Sequence, residues 1–353
     1  MGYRIAIIGA GAVGAYAGAH MVQAGEDVTF VDMWPENVEA MRSKGLRITH
    51  LRDVPEFTVP VKAIHLTELQ GVVKQKPFDI AFICVKSYDT AWATMMIQQY
   101  LAPGGFVVSL QNCMNEETIA GIVGWGRVLG SIASSITVEL VEPGYVRRAS
   151  GKGGKAHTVY RVGEVHGRIT ERAKEIGRLT ALSDSTHVTS NLWGERWSKL
   201  VTNGMANGLS ACTGLVSKDI LLNDTLRRFG ARLGAEGVRV GQALGYELEE
   251  IHHMDPEIIA GAGEGNAAAT KAYDDHRIAE ANKGGGAHRP SMGQDMVKGR
   301  RTEIEFINGF IVDKAAPLGL ATPANAALTE IVKRVERGEI APDPKHILEL
   351  RLN

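Results

Sequence analysis

Short apolar runs separated by helical stretches fill the first half of the chain, and helical periodicity dominates the second. Tyr3-Arg-Ile-Ala-Ile-Ile8 is the first run, and it ends in Gly9-Ala-Gly11-Ala-Val-Gly14. A helical pattern over 15–24, then Gly25, leads to Val28-Thr-Phe-Val31, which stops on Asp32. Residues 36–44 predict a short helix closed by Gly45, and 46–63 alternate as a small hairpin or edge excursion would. Pro55 and Pro60 oppose a central strand there. Phe78 to Val85 reads as a buried parallel strand from its unbroken apolar run. A helix over 88–100, a strand over 105–110 and another strand over 127–139 follow. Extended pieces within 144–163 flank the loop Ser150-Gly-Lys-Gly-Gly-Lys155. A helix over 167–181 and an extended piece near 187–188 close this part. From Asn191 the strand signals fade. The expected fold is an α/β, Rossmann-type dinucleotide-binding domain over 1–189, followed by a mostly α-helical domain over 190–353.

Strand, glycine turn, helix, strand and acid, in that order, are the parts of a dinucleotide site. Gly9 and Gly11 let the backbone turn and approach a pyrophosphate, which sits against the N–H groups of a helix N-terminus. Gly14 lets that helix lie close on the strand. Asp32 is placed to accept hydrogen bonds from the adenosine ribose and would repel a 2′-phosphate, so NAD(H) is favoured, with NADP(H) possible. Lys86 and Asn112 each follow a sheet strand at its C-terminal end, where open α/β sheets place ligands. Lys86 reaches the cofactor or is a solvated lysine. Asn112 holds nicotinamide or a substrate oxygen, or it simply forms a turn. The Gly/Lys loop at 150–155 lacks the order of a P-loop and reads as a solvated turn.

The whole-chain numbers narrow the classes. At 353 residues two domains are expected. A formal net charge of −1 with no basic block argues against nucleic acid as a partner. Cys84, Cys113 and Cys212 are too dispersed for a metal or redox motif, which fits a reduced, cytoplasmic chain. No apolar run reaches the ~20 residues of a membrane helix, and Met1 leads almost directly into the first strand, so neither membrane span nor signal peptide is expected. His252-His253 have no ligand-spaced partner, so no metal site is expected and both read as surface residues.

In the helical half, Lys199, Asn203 and Asn207 fall at i, i+4 and i+8, which on one continuous helix puts an ammonium and two amides on one face. Leu200, Val201, Met205 and Leu209 around them are apolar. Polar groups so placed need partners, either a ligand or a polar network between helices. Ser291 follows a proline and reads equally as a helix cap. Glu303 and Glu305 are not distinguished by periodicity.

Taken together, Gly9-Ala-Gly11-Ala-Val-Gly14, Val85-Lys86, Gln111-Asn112, Trp197-Ser-Lys199-Leu with Asn203 and Asn207, and Pro290-Ser291-Met292-x-Gln-Asp295 leading to Thr302-Glu303-Ile-Glu-Phe-Ile-Asn-Gly309 resemble the ketopantoate reductase (2-dehydropantoate 2-reductase) family over nearly the whole chain. That resemblance implies reduction of a 2-oxo acid to a 2-hydroxy acid in pantothenate biosynthesis, at a site in the cleft between domains. It implies Lys199 as proton donor and Glu303 as its catalytic companion, with Asn112, Asn203, Asn207 and Ser291 on the substrate and Lys86 and Asn112 on the cofactor, beside Gly9, Gly11, Gly14 and Asp32 read above. It also implies a homodimer. Three features depart from the family: Asp32, where NADPH users carry a basic residue; the polar, Gly- and Ala-rich stretch 261–288, as a lid or an altered substrate wall; and the tail 338–353, packed across a dimer or frayed. A dehydrogenase of another hydroxy acid or alcohol, or a non-catalytic nicotinamide-binding regulator, remain as alternatives.

Overall fold

A computed structural model of the chain describes residues 2–51, 54–283 and 289–351. The chain divides into two compact units, Met1–Leu192 and Trp193–Asn353.

Among the described residues the first unit holds all twelve strands: β1 Arg4–Ile8, β2 Asp27–Asp32, β3 Leu46–His50, β4 Phe57–Val59, β5 Lys62–His65, β6 Phe78–Ile83, β7 Leu101–Ser109, β8 Val128–Ala133, β9 Val138–Glu142, β10 Tyr145–Arg148, β11 Tyr160–Glu164 and β12 Thr186–Thr189. Its helices are α1 Ala12–Gln23, α2 Pro35–Lys44, α3 Thr90–Gln98, α4 Glu116–Val123 and α5 Glu171–Ala181. Eight strands form the main sheet in the order β12-β11-β8-β7-β6-β1-β2-β5. From β5 to β8 every pairing is parallel, and β11 alone pairs antiparallel, with β8. Parallel neighbours require crossovers, and the crossovers bury both faces of the sheet. Ile5, Ile7, Ile80 and Phe82 belong to one core cluster, and Ala6, Ile8, Ala81 and Ile83 to another, as strand alternation dictates.

The expected hairpin in 46–63 is present as the antiparallel pair β3 and β4, but it belongs to a second sheet, β4-β3-β10-β9. The strand expected over 127–139 is two strands in different sheets, β8 and β9. Chain from 138 onward leaves the main sheet and pairs with β10, which in turn runs parallel to β3. That pairing joins residues about a hundred positions apart, and local periodicity carries no trace of it. The small sheet lies against α1.

The loop 150–155 is more than a solvated turn. Arg148 and Asp184 form an ion pair with both side chains sealed from water. Arg148 donates to the carbonyls of Ser150 and Gly151, and Asp184 accepts from the Gly153 N–H. Arg148 also donates to the Tyr16 hydroxyl on α1 at 2.9 Å. Behind it, His20 is 6% exposed, with Nδ1 2.9 Å from the Tyr16 carbonyl. Burial, aided by the charges of Lys152, His50 and Arg148, pushes His20 from 6.5 down to about 4. The imidazole is therefore neutral in the fold while the unfolded chain takes up a proton below 6.5. The stabilisation is complete above 6.5 and is lost as pH falls towards about 4, amounting to about 2 kcal/mol at roughly pH 5. Melting temperature against pH should fall less steeply for His20→Gln than for the wild type across this window. Parallel curves would refute the assignment.

The second unit is helical: α6 Leu192–Gly204, which begins at the boundary, α7 Asn207–Thr213, α8 Ser217–Leu222, α9 Asp224–Ala243, α10 Pro256–Gly263, α11 Ala267–Asn282, α12 Ser291–Val297, α13 Ile304–Ala315, α14 Pro323–Glu336 and α15 Lys345–Leu348. The long α9 packs against α10, α11, α13, α14 and α15. The polar stretch 261–288 completes α10 and forms α11, both folded on the unit; residues 284–288, including the glycine patch 284–286, lie outside the described residues. The tail is not frayed up to Arg351, because the Asp343 N–H bonds the Cys212 carbonyl at 2.9 Å and Ile347 is 2% exposed. It packs on helices of its own unit; Leu352 and Asn353 lie outside the described residues. No helix among the described residues is long and apolar enough to cross a membrane.

Candidate active site

In the first unit, the sequence-selected residues gather along one edge of the sheet. β2, β1, β6 and β7 are parallel neighbours, so their C-terminal ends lie side by side, and Asp32, Gly9, Lys86 and Asn112 stand at or just beyond those ends. The ladder extends past the strands through Gly9 N–H to Val31, Cys84 N–H to Ile8 and Leu110 N–H to Ile83. Gly9 sits at φ +96°, where glycine alone is unstrained. Gly14 is buried, and a methyl group there would fall 2.4 Å from the Gly9 carbonyl oxygen and 2.8 Å from Cys84 Cβ. Gly11, the N-cap of α1, has open space before it, no side chain caps the helix and no acid occupies its first turn. An uncapped, unobstructed helix N-terminus fits a pyrophosphate.

Asp32 is 9% exposed, and its oxygens accept from the N–H groups of Ala10 at 2.6 Å and Trp34 at 2.8 Å. Burial raises its pKa, and those two bonds work against the rise. The carboxylate thus secures the glycine turn that it borders. Asn37 completes this arrangement: 1% exposed, it donates to the Ala10 carbonyl at 3.1 Å and accepts from the Gly144 N–H at 2.9 Å. Beyond β6 and β7, Gln111 donates to the Val85 carbonyl and the Thr90 hydroxyl, both at 2.8 Å, and Asn115 donates to the Ser87 hydroxyl and the Asn112 carbonyl. These amides fix the loops that carry Lys86 and Asn112. Sequence reading passed over Asn37 and Asn115, whose one local signal was an amide in or beside a helix start, where side-chain to backbone bonds concentrate, and took Gln111 only as part of the family pattern.

In the second unit, Lys199 and Asn203 lie one turn apart on α6. The helix does not continue straight to Asn207. α6 ends at Gly204 and α7 begins at Asn207, so the single helix expected across 197–210 is two. Asn308 of α13 donates to the Gly204 carbonyl at 3.0 Å, and the Ala206 N–H bonds the Asn203 carbonyl in a tighter turn. Asn and Gly, poor helix formers, make the break cheap. Asn203 is 9% exposed, and its Nδ2 is shut off from water without a hydrogen-bond partner. Asn207 is 5% exposed.

Two further helix ends meet α7. A methyl group at Gly293 of α12 would touch the Ser210 hydroxyl, and one at Gly208 would lie 3.1 Å from Ile304 at the start of α13. Ser291 is the first residue of α12, with Pro290 as N-cap, and Glu303 is the N-cap of α13. The structure separates the two glutamates: Glu303 is 4% exposed, whereas Glu305 is exposed and paired with Arg301 and Lys333. Lys199, Asn203, Asn207, Ser291 and Glu303 therefore all belong to one bundle of packed helices. Among the described residues no group of three His, Cys, Asp or Glu is placed to hold a metal ion. His253 is exposed, and His252 is half-buried with its Nε2 shut off from solvent.

A parallel sheet with a glycine turn under an open helix N-terminus, joined to a helical unit bearing a lysine among buried amides, defines a nicotinamide-dinucleotide oxidoreductase with a separate helical domain. Residues 5–158 match the model of the ketopantoate reductase PanE/ApbA family and residues 191–336 match that of its C-terminal domain; the chain belongs to this family. It is 30% identical to the 2-dehydropantoate 2-reductase of Archaeoglobus fulgidus over 95% of this chain and 98% of that one. The 2-dehydropantoate 2-reductase of Pyrococcus horikoshii is likewise 30% identical, over 94% of this chain and 97% of its own length. Among solved structures, a PanE/ApbA family ketopantoate reductase from Ralstonia eutropha JMP134 superimposes with a TM-score of 0.76 at 27% identity, covering 95% of this chain and 99% of that one. A ternary complex of D-mandelate dehydrogenase with NADH and anilino(oxo)acetate gives 0.77 at 25%, with the same coverage of both chains. The chain is an oxidoreductase acting on CH–OH groups and binds a nicotinamide dinucleotide.

Proposed function

We propose that this enzyme reduces 2-dehydropantoate (ketopantoate) to pantoate, with Lys199 as general acid. The observation that carries the reading is the Asn203 amide, buried without a partner one turn from Lys199, because a buried donor left unpaired calls for a ligand. The bound reduced nicotinamide supplies a hydride to the carbonyl carbon. As negative charge grows on the carbonyl oxygen, the Lys199 ammonium holds it and gives up a proton from Nζ, a contribution of about 10²–10⁴-fold for general acid catalysis. Asn112, Asn203, Asn207 and Ser291 hold the substrate's oxygens. Glu303 accepts from a substrate hydroxyl and tunes Lys199. Gly9, Gly11, Gly14, Lys86 and Asn112 hold the cofactor, and Asp32 selects NADH over NADPH. Residues 1–189 and 190–353 serve as cofactor and substrate domains of a cytoplasmic homodimer.

Initial rates with ketopantoate, NADH and NADPH side by side test this reading. Turnover at least equal to that on other 2-oxo acids, with higher kcat/KM for NADH, is expected. Asp32→Ala should erode the NADH preference. A wild type that favours NADPH overturns the role of Asp32, and a wild type inert to ketopantoate overturns the substrate. The likeness to D-mandelate dehydrogenase supports a second reading, an NAD-dependent dehydrogenase of a bulkier 2-hydroxy acid. Mandelate oxidation with NAD exceeding the rate on pantoate would establish it.

A further inference from the structure

The break between α6 and α7 is imposed from outside the helix. In a regular helix the Gly204 carbonyl would accept from the N–H four residues on. Here it accepts from the Asn308 side chain of α13 at 3.0 Å, while the Ala206 N–H turns back to the Asn203 carbonyl. Asn308 is fully buried, and its amide gives its second proton to Asn325 Oδ1 at 2.8 Å. Asn325 lies in the first turn of α14 and is also fully buried. Its own donor settles its orientation, because Nδ2 lies 3.2 Å from the Leu233 carbonyl and 2.7 Å from a Glu236 carboxylate oxygen on α9. Asn325 therefore turns its oxygen, and not its nitrogen, towards Asn308. The Glu236 carboxylate also accepts the N–H groups of Ala324 and Asn325 at 2.8 and 2.9 Å, and so caps a helix whose own N-cap residue supplies no side-chain bond.

A chain of hydrogen bonds thus runs from α9 through α14 and α13 to the last turn of α6. Both oxygens that face the Asn308 amide are carbonyl oxygens, so the position requires a group with two protons to give. The packing holds the junction from the same side. A methyl group at Gly208 would lie 2.8 Å from Leu328 of α14 and 3.1 Å from Ile304 of α13, which seats the start of α7 against the two helices that carry the amides. The break falls between Asn203, in the last turn of α6, and Asn207, the first residue of α7. Bonds in a core sealed from water cannot be exchanged for bonds to solvent, so they, more than helix propensity, determine where α6 stops.

We propose that Asn308, oriented by Asn325, is a positioning residue for the reaction: it sets where α6 ends and thereby the spacing of Asn203 and Asn207 on the substrate. The proposal rests on the reading of those two amides as substrate ligands, and extends it to two fully buried residues that act only through the helix break.

The test compares wild type, Asn308→Asp, Asn325→Ser and the double variant. Aspartate keeps the shape of asparagine but has no proton for either carbonyl when ionised and only one when neutral. Serine at 325 leaves Asn308 without the oxygen that orients it. Misplacing the substrate amides should lower kcat/KM for ketopantoate in Asn308→Asp about tenfold to a hundredfold, chiefly through the KM for ketopantoate, with NADH affinity within twofold of wild type. Asn325→Ser should lose less, but more than threefold and in the same parameter. Because the two act in series, the double variant should be no worse than Asn308→Asp. A purely structural role would lower the melting temperature and leave the KM for ketopantoate alone. A KM within threefold of wild type in a folded variant, an equal loss of NADH affinity, or a double variant more than threefold worse than Asn308→Asp overturns the proposal while leaving the reductase assignment intact. If Asn308→Asp does not melt cooperatively, Asn325→Ser decides by the same criterion. Should the wild type not reduce ketopantoate, that assignment fails, and calorimetric titration of the NADH-loaded proteins with oxamate takes the place of the KM. Oxamate binding weakened more than threefold in the variants supports the positioning role. Equal binding, or none to the wild type, overturns it.

Discussion

Lys199→Ala is expected to lower kcat on the 2-oxo acid by about 10²–10⁴-fold, the range of general acid catalysis, while NADH binding is retained. The lysine sits on α6 above a helix core of Trp197, Leu200 and Val201, each no more than 1% exposed, so shortening its side chain leaves the packing of that helix in place. The loss should fall on kcat and kcat/KM together, because the proton is needed as charge develops on the carbonyl oxygen and not when the ground state binds. Lys199→Arg keeps a cation but does not release its proton near neutral pH, and should recover little of the rate. NADH fluorescence titration and stopped-flow turnover measure the two halves of the prediction. Undiminished turnover in Lys199→Ala would remove the lysine from the chemistry. Loss of NADH binding as well would mean that the substitution acts through the fold.

Gly14→Ala should be as damaging at the cofactor. The added methyl group would meet the Gly9 carbonyl oxygen at 2.4 Å and Cys84 Cβ at 2.8 Å. Neither neighbour is the end of a flexible side chain, so α1 must move off the sheet and carry its N-terminus with it. Overpacking of this kind costs about 1–3 kcal/mol of stability. Displacing the helix N–H groups should weaken NADH by about a hundredfold, the scale of two lost charge-assisted bonds. Gly11→Ala provides the contrast: nothing in the chain lies within 4 Å of its added methyl, and its φ of −70° suits alanine. It should weaken NADH while leaving stability within about 1 kcal/mol of wild type. Thermal melts paired with NADH titrations separate the cases. If Gly14→Ala binds NADH as the wild type does, the glycine turn is not the cofactor cradle.

The two units differ in how far their sites could be read from sequence. The turn from Gly9 to Gly14 and the acid at Asp32 belong to one unbroken β1-α1-β2 segment, whose spacing is set by strand and helix periods. The Lys199–Asn203 pair was legible for the same reason, since one helical turn fixes it. The expectation that Asn207 continues the same helix does not hold. The helix breaks before it because Asn308, about a hundred residues later, takes the Gly204 carbonyl. Three amides that brace the cofactor loops, Asn37, Gln111 and Asn115, make bonds that no local pattern encodes.

The sequence by itself determined the α/β order of the first half, the helical second half, the glycine turn and the lysine one helical turn from its neighbouring amide. Each of these depends on residues close together in the chain, where dihedral preferences and hydrophobic periods act directly. The tertiary structure decided which glutamate is buried, because Glu303 lies in the packed start of α13 while Glu305, two residues on, finds Lys333 at the surface. It decided that β9 and β10 leave the main sheet to cover α1. It also left His252 half-buried, with its Nε2 shut off from solvent. All three depend on partners distant in sequence, and burial, charge and pairing at such places exist only once those partners have been brought together.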